Sequence, residues 1–524
     1  MRNRIKLAVT SAAVLLTGAS GYGAVDALGL LKKTGPLSAD EVRSTAQDFL
    51  DSWQEGDLTA AAALTDDGDA AHQALTQFRR GAGTDVSFKT ERQDATRVSF
   101  ATTLRFRDDG RTSTWTYGSS IKLLRDPGTG EPRVAWLPSV VHPKLRKGDA
   151  MTVAEAAAPV VDAVDRDGKK LTAKEFPSLA GVLPSLGRRY GDKLGGTPEV
   201  EVRLTRAGGR SSESLHVISA GKPVRLRTTL SAKVQRAAER AVKKFPESST
   251  VAVKPSNGEI LAVANNRGDG FNAALLGQLA PGSTMKIITA AALLEKGLVT
   301  APGPAPCPKA ARVGGTTFHN LDEFEMPGAT FSDGFSRSCN TTFLEFADDI
   351  DADTLSREAR EVFGVGLDWH SGVATFDGSV PKATGAEKAA TMIGQGQVQM
   401  NPLNLASVAA TASTGRFKQP NLVPPDVDGR PLAEAQRSLP DDVARQLRTM
   451  LHRTATEGTA AKAMQGLPGD IGAKTGSAEV GGNATSDSWF AGYRDDVAAA
   501  AVVQKGGHGG DAAGPLVRDV LETR

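Results

Sequence analysis

Cysteine is scarce in this chain, with only Cys307 and Cys339 among 524 residues, and no Cys-x-x-Cys pair occurs. Histidine is sparse too: the seven are scattered, and there is no His-Glu-x-x-His stretch. Such spacing assembles no metal-ligand set, so neither a metal nor a cofactor is expected. An excess of charge of one sign is likewise missing. A formal net charge of +2 leaves no electrostatic footprint for nucleic acid, which is excluded as a partner. Internal repeats and low-complexity tracts are absent, which removes array architectures. What remains is the composition of a folded globular protein, 40% hydrophobic and 23% charged. The length exceeds what one hydrophobic core serves and implies about two to four domains.

The N-terminus departs from this pattern. "MRNRIK" supplies three cations, and "LAVTSAAVLLTGASGYGAV" then runs to Val25 without a charge. As a helix at about 1.5 Å per residue this run reaches roughly 28 Å, close to the roughly 30 Å of a bilayer core. Arg2, Arg4 and Lys6 would hold the tip in the cytoplasm, so residues 1–26 are expected to anchor the chain as a single membrane helix. Everything after Asp26 would then be extracytoplasmic. A cleaved signal peptide is the other reading, with Thr17 and Ala19 loosely fitting a small-x-small site. Both readings export the body. In an oxidising compartment Cys307 and Cys339 either pair, contributing roughly 3–4 kcal/mol by closing their loop, or remain two buried thiols.

After a linker over 27–37, "SADEVRSTAQDFLDSW" opens with Ser38 and Glu41 in capping-box spacing. Val42, Phe49, Leu50 and Trp53 follow at helical spacing. "RVSFATTLRFRDDGRTSTWTYGSSIKLL" alternates Val98, Phe100, Thr102, Leu104 and Phe106 on one face, turns at Asp109-Gly110 and returns as a strand; "EPRVAWLPSVVHP" adds another. Helices followed by a curved antiparallel sheet predict a small α+β domain over 38–148. From 149 to 225 short apolar runs are broken by "VDRDGKKL", "GRRYGDKLGGTPE" and "AGGRSSE", which suggests an irregular pedestal or connecting domain. "VRLRTTLSAKVQRAAERAV" switches from strand-like to helical and begins the last domain, 226–524. Leu516, Val517, Val520 and Leu521 predict a closing helix.

Three short motifs lie in that last domain. In "QLAPGSTMKIITAAALLEKGL", Lys286 is the single cation among apolar, small or threonine residues from Met285 to Leu294. Ser283 and Lys286, three apart, lie one above the other on a helix, and the helix start favours a developing oxyanion at Ser283. A general base near neutral pH would need the lysine lowered by about 3 units, which burial and a second cation supply. The plain alternative is a capping serine with a snorkelling lysine. The spacing alone is weak, because Ser119 and Lys122 repeat it on an alternating strand. In "SRSCNTTFLEFA", Ser338 and Asn340 flank Cys339, where a hydroxyl can relay a proton and an amide can grip a substrate; the alternative is a polar helix start. In "DIGAKTGSAEV", Lys474, Thr475, Gly476 and Ser477 fall on a strand that brings its backbone close to a ligand, with Lys474 and Thr475 or Ser477 binding a carboxylate. Lys33-Thr34-Gly35 repeats the triplet with no strand around it. The strand is expected to continue into a hairpin pair turning at Asp495-Asp496.

Ser-x-x-Lys, then Ser-x-Asn, then Lys-Thr-Gly in one exported domain is the set shared by class A β-lactamases and penicillin-binding proteins. With "VAVKPSNGEILAVANN", "IGQGQVQMNPLNLASVAATAS" and "WFAGY", the last domain resembles the transpeptidase domain of penicillin-binding proteins. The anchor, "VDRDG" and the lack of a glycosyltransferase domain look like the monofunctional class B type. The small domain is similar to a nuclear-transport-factor-like extension.

The resemblance implies a multidomain chain: a cone-like α+β domain, a pedestal or dimerisation-type domain, and an α/β serine-transpeptidase, β-lactamase-like domain with an antiparallel sheet flanked by helices. It implies a D,D-transpeptidase crosslinking peptidoglycan stem peptides that end in D-Ala-D-Ala, with β-lactams as covalent inhibitors and cell-division or elongation proteins as partners. Ser283 would be nucleophile, Lys286 base, Ser338 proton relay and Asn340 substrate clamp, while Lys474 and Thr475 would anchor the carboxylate. Backbone N–H groups of Ser283 and Ser477 would form the oxyanion hole. Ser231 stands where the family commonly shows aspartate. A β-lactamase or β-lactam sensor, a D,D-carboxypeptidase, and a non-catalytic membrane-tethered scaffold are the competing readings.

Overall fold

The computed structural model describes residues 34–82, 85–108, 111–156, 158–209, 212–479 and 485–523. The expected membrane segment and the Asp109-Gly110 turn lie outside them. No helix among the described residues is long and apolar enough to cross a membrane.

Ser38 caps the helix Ala39–Glu55 as its spacing with Glu41 requires: its hydroxyl accepts from Glu41 N at 3.2 Å, and the Glu41 carboxylate accepts from Ser38 N at 2.9 Å. Two further helices, Leu58–Ala63 and Gly68–Ala82, precede an antiparallel sheet of Val86–Asp94, Arg97–Asp108, Arg111–Arg125 and Pro132–Val134 in sequence order. The alternating residues Val98, Phe100, Thr102, Leu104 and Phe106 are all buried. Trp53 packs against Phe88 and Phe78, with ring centroids 4.4 and 5.3 Å apart, so the first helix closes over this face.

The segment expected as a pedestal, 149–225, is divided between two compact units, Met1–Ala154 with Val200–Ser219 and Glu155–Glu199 with Ala220–Arg524. The physical reason is burial. Met151 and Val202 belong to the apolar cluster of Trp53 and Phe100, so the strand Ala150–Glu155 and the hairpin Val200–Thr205/Ser212–Ser219 extend the small domain's core. The remainder contributes the strand Val161–Val164, which pairs in parallel with Val224–Arg227.

The larger unit is built on a five-stranded antiparallel sheet in the order Ile260–Asn266, Ser248–Val253, Val497–Val503, Asp487–Arg494, Ile471–Ala478. The predicted hairpin turns between Arg494 and Val497. Strand alternation divides the sheet between two cores. Ala499, Ala501 and Val503 face the helices Ala232–Val242 and Ala513–Leu521, while Ala498, Ala500 and Val502 face the cluster containing Ile287 and Leu405. Leu516, Val517, Val520 and Leu521 of the closing helix are buried. Ser231 caps the helix Ala232–Val242, and a carboxylate reaches the same helix end from "VDRDG": Asp165 Oδ2 accepts from Ala232 N at 3.0 Å. That helix start therefore keeps an acidic partner although Ser231 is not an aspartate. The strand Ile471–Ala478 is the sheet edge and is buried along most of its length.

Candidate active site

Pro281 turns the chain into a 3-10 turn, Gly282–Met285, that runs directly into the helix Lys286–Glu295. The turn lies against the edge strand at backbone distance. Gly282 has φ +55°, and a Cβ there would stand 2.6 Å from Ser477 O; a Cβ on Gly476 would stand 2.8 Å from Pro281 O. Side chains at either position would push the serine turn away from the strand.

Lys286 is 0% exposed. Its Nζ lies 2.9 Å from Ser283 Oγ, 2.8 Å from Ser338 O and 2.7 Å from Asn340 Oδ1. A neutral amine has two N–H donors and one lone pair. Two of these neighbours, Ser338 O and Asn340 Oδ1, are acceptors, which leaves the lone pair for the Ser283 hydroxyl. Burial, and next the charge of Lys474, hold the Lys286 ammonium well below the ordinary lysine range. The Phe343 ring, 5.5 Å from Nζ, is part of the apolar wall that excludes water.

Ser338 follows the helix Phe331–Ser336 in the left-handed region, φ +60°. The turn sends its carbonyl to Lys286 and its hydroxyl to Lys474 Nζ, which donates to Ser338 Oγ at 2.9 Å. Lys474 is also 0% exposed, and burial lowers its pKa to about 7. On the edge strand Thr475 and Ser477 project opposite to Lys474 and Gly476. Thr475 Oγ1 lies 2.6 Å from Thr459 Oγ1. All eight residues singled out by the motifs thus meet: Ser283, Lys286, Ser338, Asn340 and Lys474 in one hydrogen-bonded chain, with Thr475, Gly476 and Ser477 on the strand that packs against the serine turn.

Asn340 is held by groups the motifs do not contain. Its Nδ2 donates to His319 O at 2.9 Å, and its backbone N donates to Asn320 Oδ1 at 2.8 Å. Buried Asn320 also accepts from Thr341 N at 3.1 Å and donates to Pro308 O and Phe324 O at 2.8 and 2.9 Å. Cys339, between Ser338 and Asn340, is disulfide-bonded to Cys307, 32 positions away. Asn320 and Thr459 were invisible to sequence reasoning, since neither belongs to a periodic pattern or a motif. The two decoys behave differently. Ser119 Oγ donates to Ser139 O at 2.8 Å while Lys122 is exposed on the other face of its strand, and Lys33 lies outside the described residues. Among the described residues no group of three or more His, Cys, Asp or Glu could hold a metal ion.

Residues 248–522 match the penicillin-binding protein transpeptidase domain. The chain is 28% identical over 359 residues to the peptidoglycan D,D-transpeptidase PbpA of Mycolicibacterium smegmatis, covering 56% of this chain and 71% of that one. Among solved structures it is similar to penicillin-binding protein 3 of Mycobacterium tuberculosis, with a TM-score of 0.55 and 21% identity over 71% of this chain and 96% of that one. It is also similar to the penicillin-binding protein PBP2 of Helicobacter pylori, solved in complex with MreC, with a TM-score of 0.51 and 20% identity over 62% of this chain and 69% of that one.

Proposed function

The chain belongs to the penicillin-binding protein transpeptidase family, and from that premise we propose that Ser283 is the nucleophile of a serine-type peptidoglycan D,D-transpeptidase. The enzyme crosslinks stem peptides ending in D-Ala-D-Ala, and β-lactams inhibit it by acylating the same serine. One observation carries the assignment: a fully buried Lys286 Nζ, 2.9 Å from Ser283 Oγ, whose other two neighbours are carbonyl oxygens.

The steps follow from the proton count. Neutral Lys286 takes the Ser283 proton as Oγ attacks the carbonyl of the penultimate D-alanine. The developing oxyanion faces the backbone N–H groups of Ser283 and Ser477, a placement supported by the tight packing of Gly282 on Ser477. The C–N bond then breaks, and the proton passes from Lys286 by way of Ser338 to the departing D-alanine amine. An acceptor amine attacks the acyl-Ser283 ester, transfers its proton back along the same groups and frees the serine. Asn340 Oδ1, already bound to Lys286, keeps a second lone pair for the substrate amide N–H. The Thr475 hydroxyl, with that of Ser477 on the same face of the strand, holds the terminal carboxylate, while the charge of Lys474 on the other face attracts it and polarises Ser338.

Residues 1–26 are proposed to anchor the chain as one membrane helix with the catalytic unit on the extracytoplasmic side. The upstream region is proposed to comprise a nuclear-transport-factor-like domain over 38–148, its core completed by Ala150–Glu155 and Val200–Ser219, with the rest of 149–225 as the connecting region before the transpeptidase domain of 226–524. Cell-division or elongation proteins are the proposed partners. Mass spectrometry of stem-peptide products tests the reaction. Crosslinked dimers that vanish with Ser283→Ala support it, hydrolysed monomers alone point to a carboxypeptidase, and turnover of a penicillin adduct within seconds points to a β-lactamase. Full growth complementation by Ser283→Ala would leave only a scaffold.

A further inference from the structure

Thr475 is 7% exposed, and its Oγ1 lies 2.6 Å from Thr459 Oγ1. Thr459 follows the helix Asp441–Thr456 and is itself exposed, so packing does not explain a hydroxyl there. Its backbone is fixed on both sides. Thr459 N donates to Ser336 O at 3.1 Å, at the end of the helix preceding Ser338, and Gly458 N donates to Arg453 O at 3.0 Å. Gly458 approaches so closely that a Cβ would stand 2.4 Å from Ser336 O. Thr459 therefore connects the Ser338 turn to the edge strand at the position of Thr475.

A hydroxyl has one proton. If Thr475 donates that proton to a carboxylate, it cannot also donate it to Thr459, so the close contact must be made by the Thr459 proton. The two hydroxyls then form a chain polarised towards the ligand, in which each O–H strengthens the next. Valine at position 459 would keep the shape and remove the donor.

We propose that Thr459 is a positioning residue for carboxylate recognition: its hydroxyl donates to Thr475 Oγ1 and thereby aims the Thr475 proton at the carboxylate of the donor substrate or of a β-lactam. This rests on the reading of Lys474 and Thr475 as the carboxylate anchor.

The test compares acylation of the full-length chain by a fluorescent penicillin and by its methyl ester. Wild type takes the free acid faster. Thr459→Val lowers the second-order rate constant for the acid by roughly three- to tenfold, the size of one supporting hydrogen bond. It leaves the ester within about twofold, as a surface change should. Thr459→Ser restores the acid, and Thr459→Val adds nothing in a Thr475→Val background. Equal losses on acid and ester, or an unchanged acid rate in a wild type that does discriminate, overturn the role of Thr459 alone. A wild type that takes acid and ester equally overturns the carboxylate anchor, and this inference with it.

Discussion

Lys474 Nζ donates to Ser338 Oγ across 2.9 Å, joining groups 136 positions apart. The carbonyl of the same serine accepts from Lys286 at 2.8 Å. One residue therefore touches both buried lysines, and their tasks require opposite protonation. Lys286 must be neutral to take a proton from Ser283, whereas Lys474 must be charged to hold a carboxylate and polarise Ser338. Each lysine at its neighbour's side disfavours double protonation, which suits this division of labour.

The pH dependence follows. Acylation of the free enzyme by a penicillin should rise with pH as Lys286 loses its proton, on a limb lying well below the ordinary lysine range. It should fall above about 7, where Lys474 loses its charge. Lys474→Arg, which stays charged, should remove the falling limb while lowering the plateau. A wild-type rate constant that climbs without a maximum between about pH 6 and about pH 10 would contradict the assignment.

Stability should move in the direction opposite to activity. Burial lowers Lys474 from the ordinary 10.5 to about 7. Between those values the unfolded chain binds this proton and the folded chain does not, so stability rises with pH through that window and the destabilisation is complete below it. Lys474→Met should therefore stabilise the protein at about pH 7 by on the order of 1–3 kcal/mol once lost hydrogen bonds are deducted, and the gain should fade towards about pH 10. Thermal melts at the two pH values check both sign and trend. A destabilised variant at the lower pH would show that Lys474 is not a strained charge.

Legibility in the sequence tracked locality. The Ser38–Glu41 cap, the 98–106 alternation, the 494–497 hairpin and the closing helix each depend on residues a few positions apart, and periodicity disclosed them. The Ser283–Lys286 pair was readable for the same reason. That Ser338 and Lys474 join it was not a local property: it needed the family resemblance, because strand order puts Ile471–Ala478 at the sheet edge beside the serine turn. Met151 and Val202 show the limit for domains, since strands separated by almost fifty residues share one core with Trp53. Nor did composition decide whether Cys307 and Cys339 pair.

Ser338 allows strain and chemistry to be separated. At φ +60° a side chain is disfavoured by about 1 kcal/mol relative to glycine. Ser338→Gly should melt higher than Ser338→Ala by roughly that amount. Both variants lack the relay hydroxyl, and both should acylate on the order of 10²–10⁴-fold more slowly. If Ser338→Gly keeps near wild-type acylation, the hydroxyl carries no proton and the strained turn serves only to place the carbonyl against Lys286.

Asn320 supplies the test of how that geometry is maintained. Its oxygen accepts from Asn340 N and Thr341 N, and its nitrogen donates to Pro308 O and Phe324 O, so both ends of the amide are in use. Asn320→Asp keeps the shape but turns two donors into an acceptor facing two carbonyls. The loss of two buried hydrogen bonds and the unpaired carbonyls should cost about 2–4 kcal/mol. Because Asn340 Oδ1 is 2.7 Å from Lys286 Nζ, displacement of the Asn340 turn should also slow acylation by roughly 10–100-fold, through placement and not through chemistry. The slowing should therefore appear with the shape of the pH profile unchanged. A stable Asn320→Asp variant that acylates at the wild-type rate would mean that the Cys307–Cys339 bridge alone holds the Ser338–Asn340 turn in register.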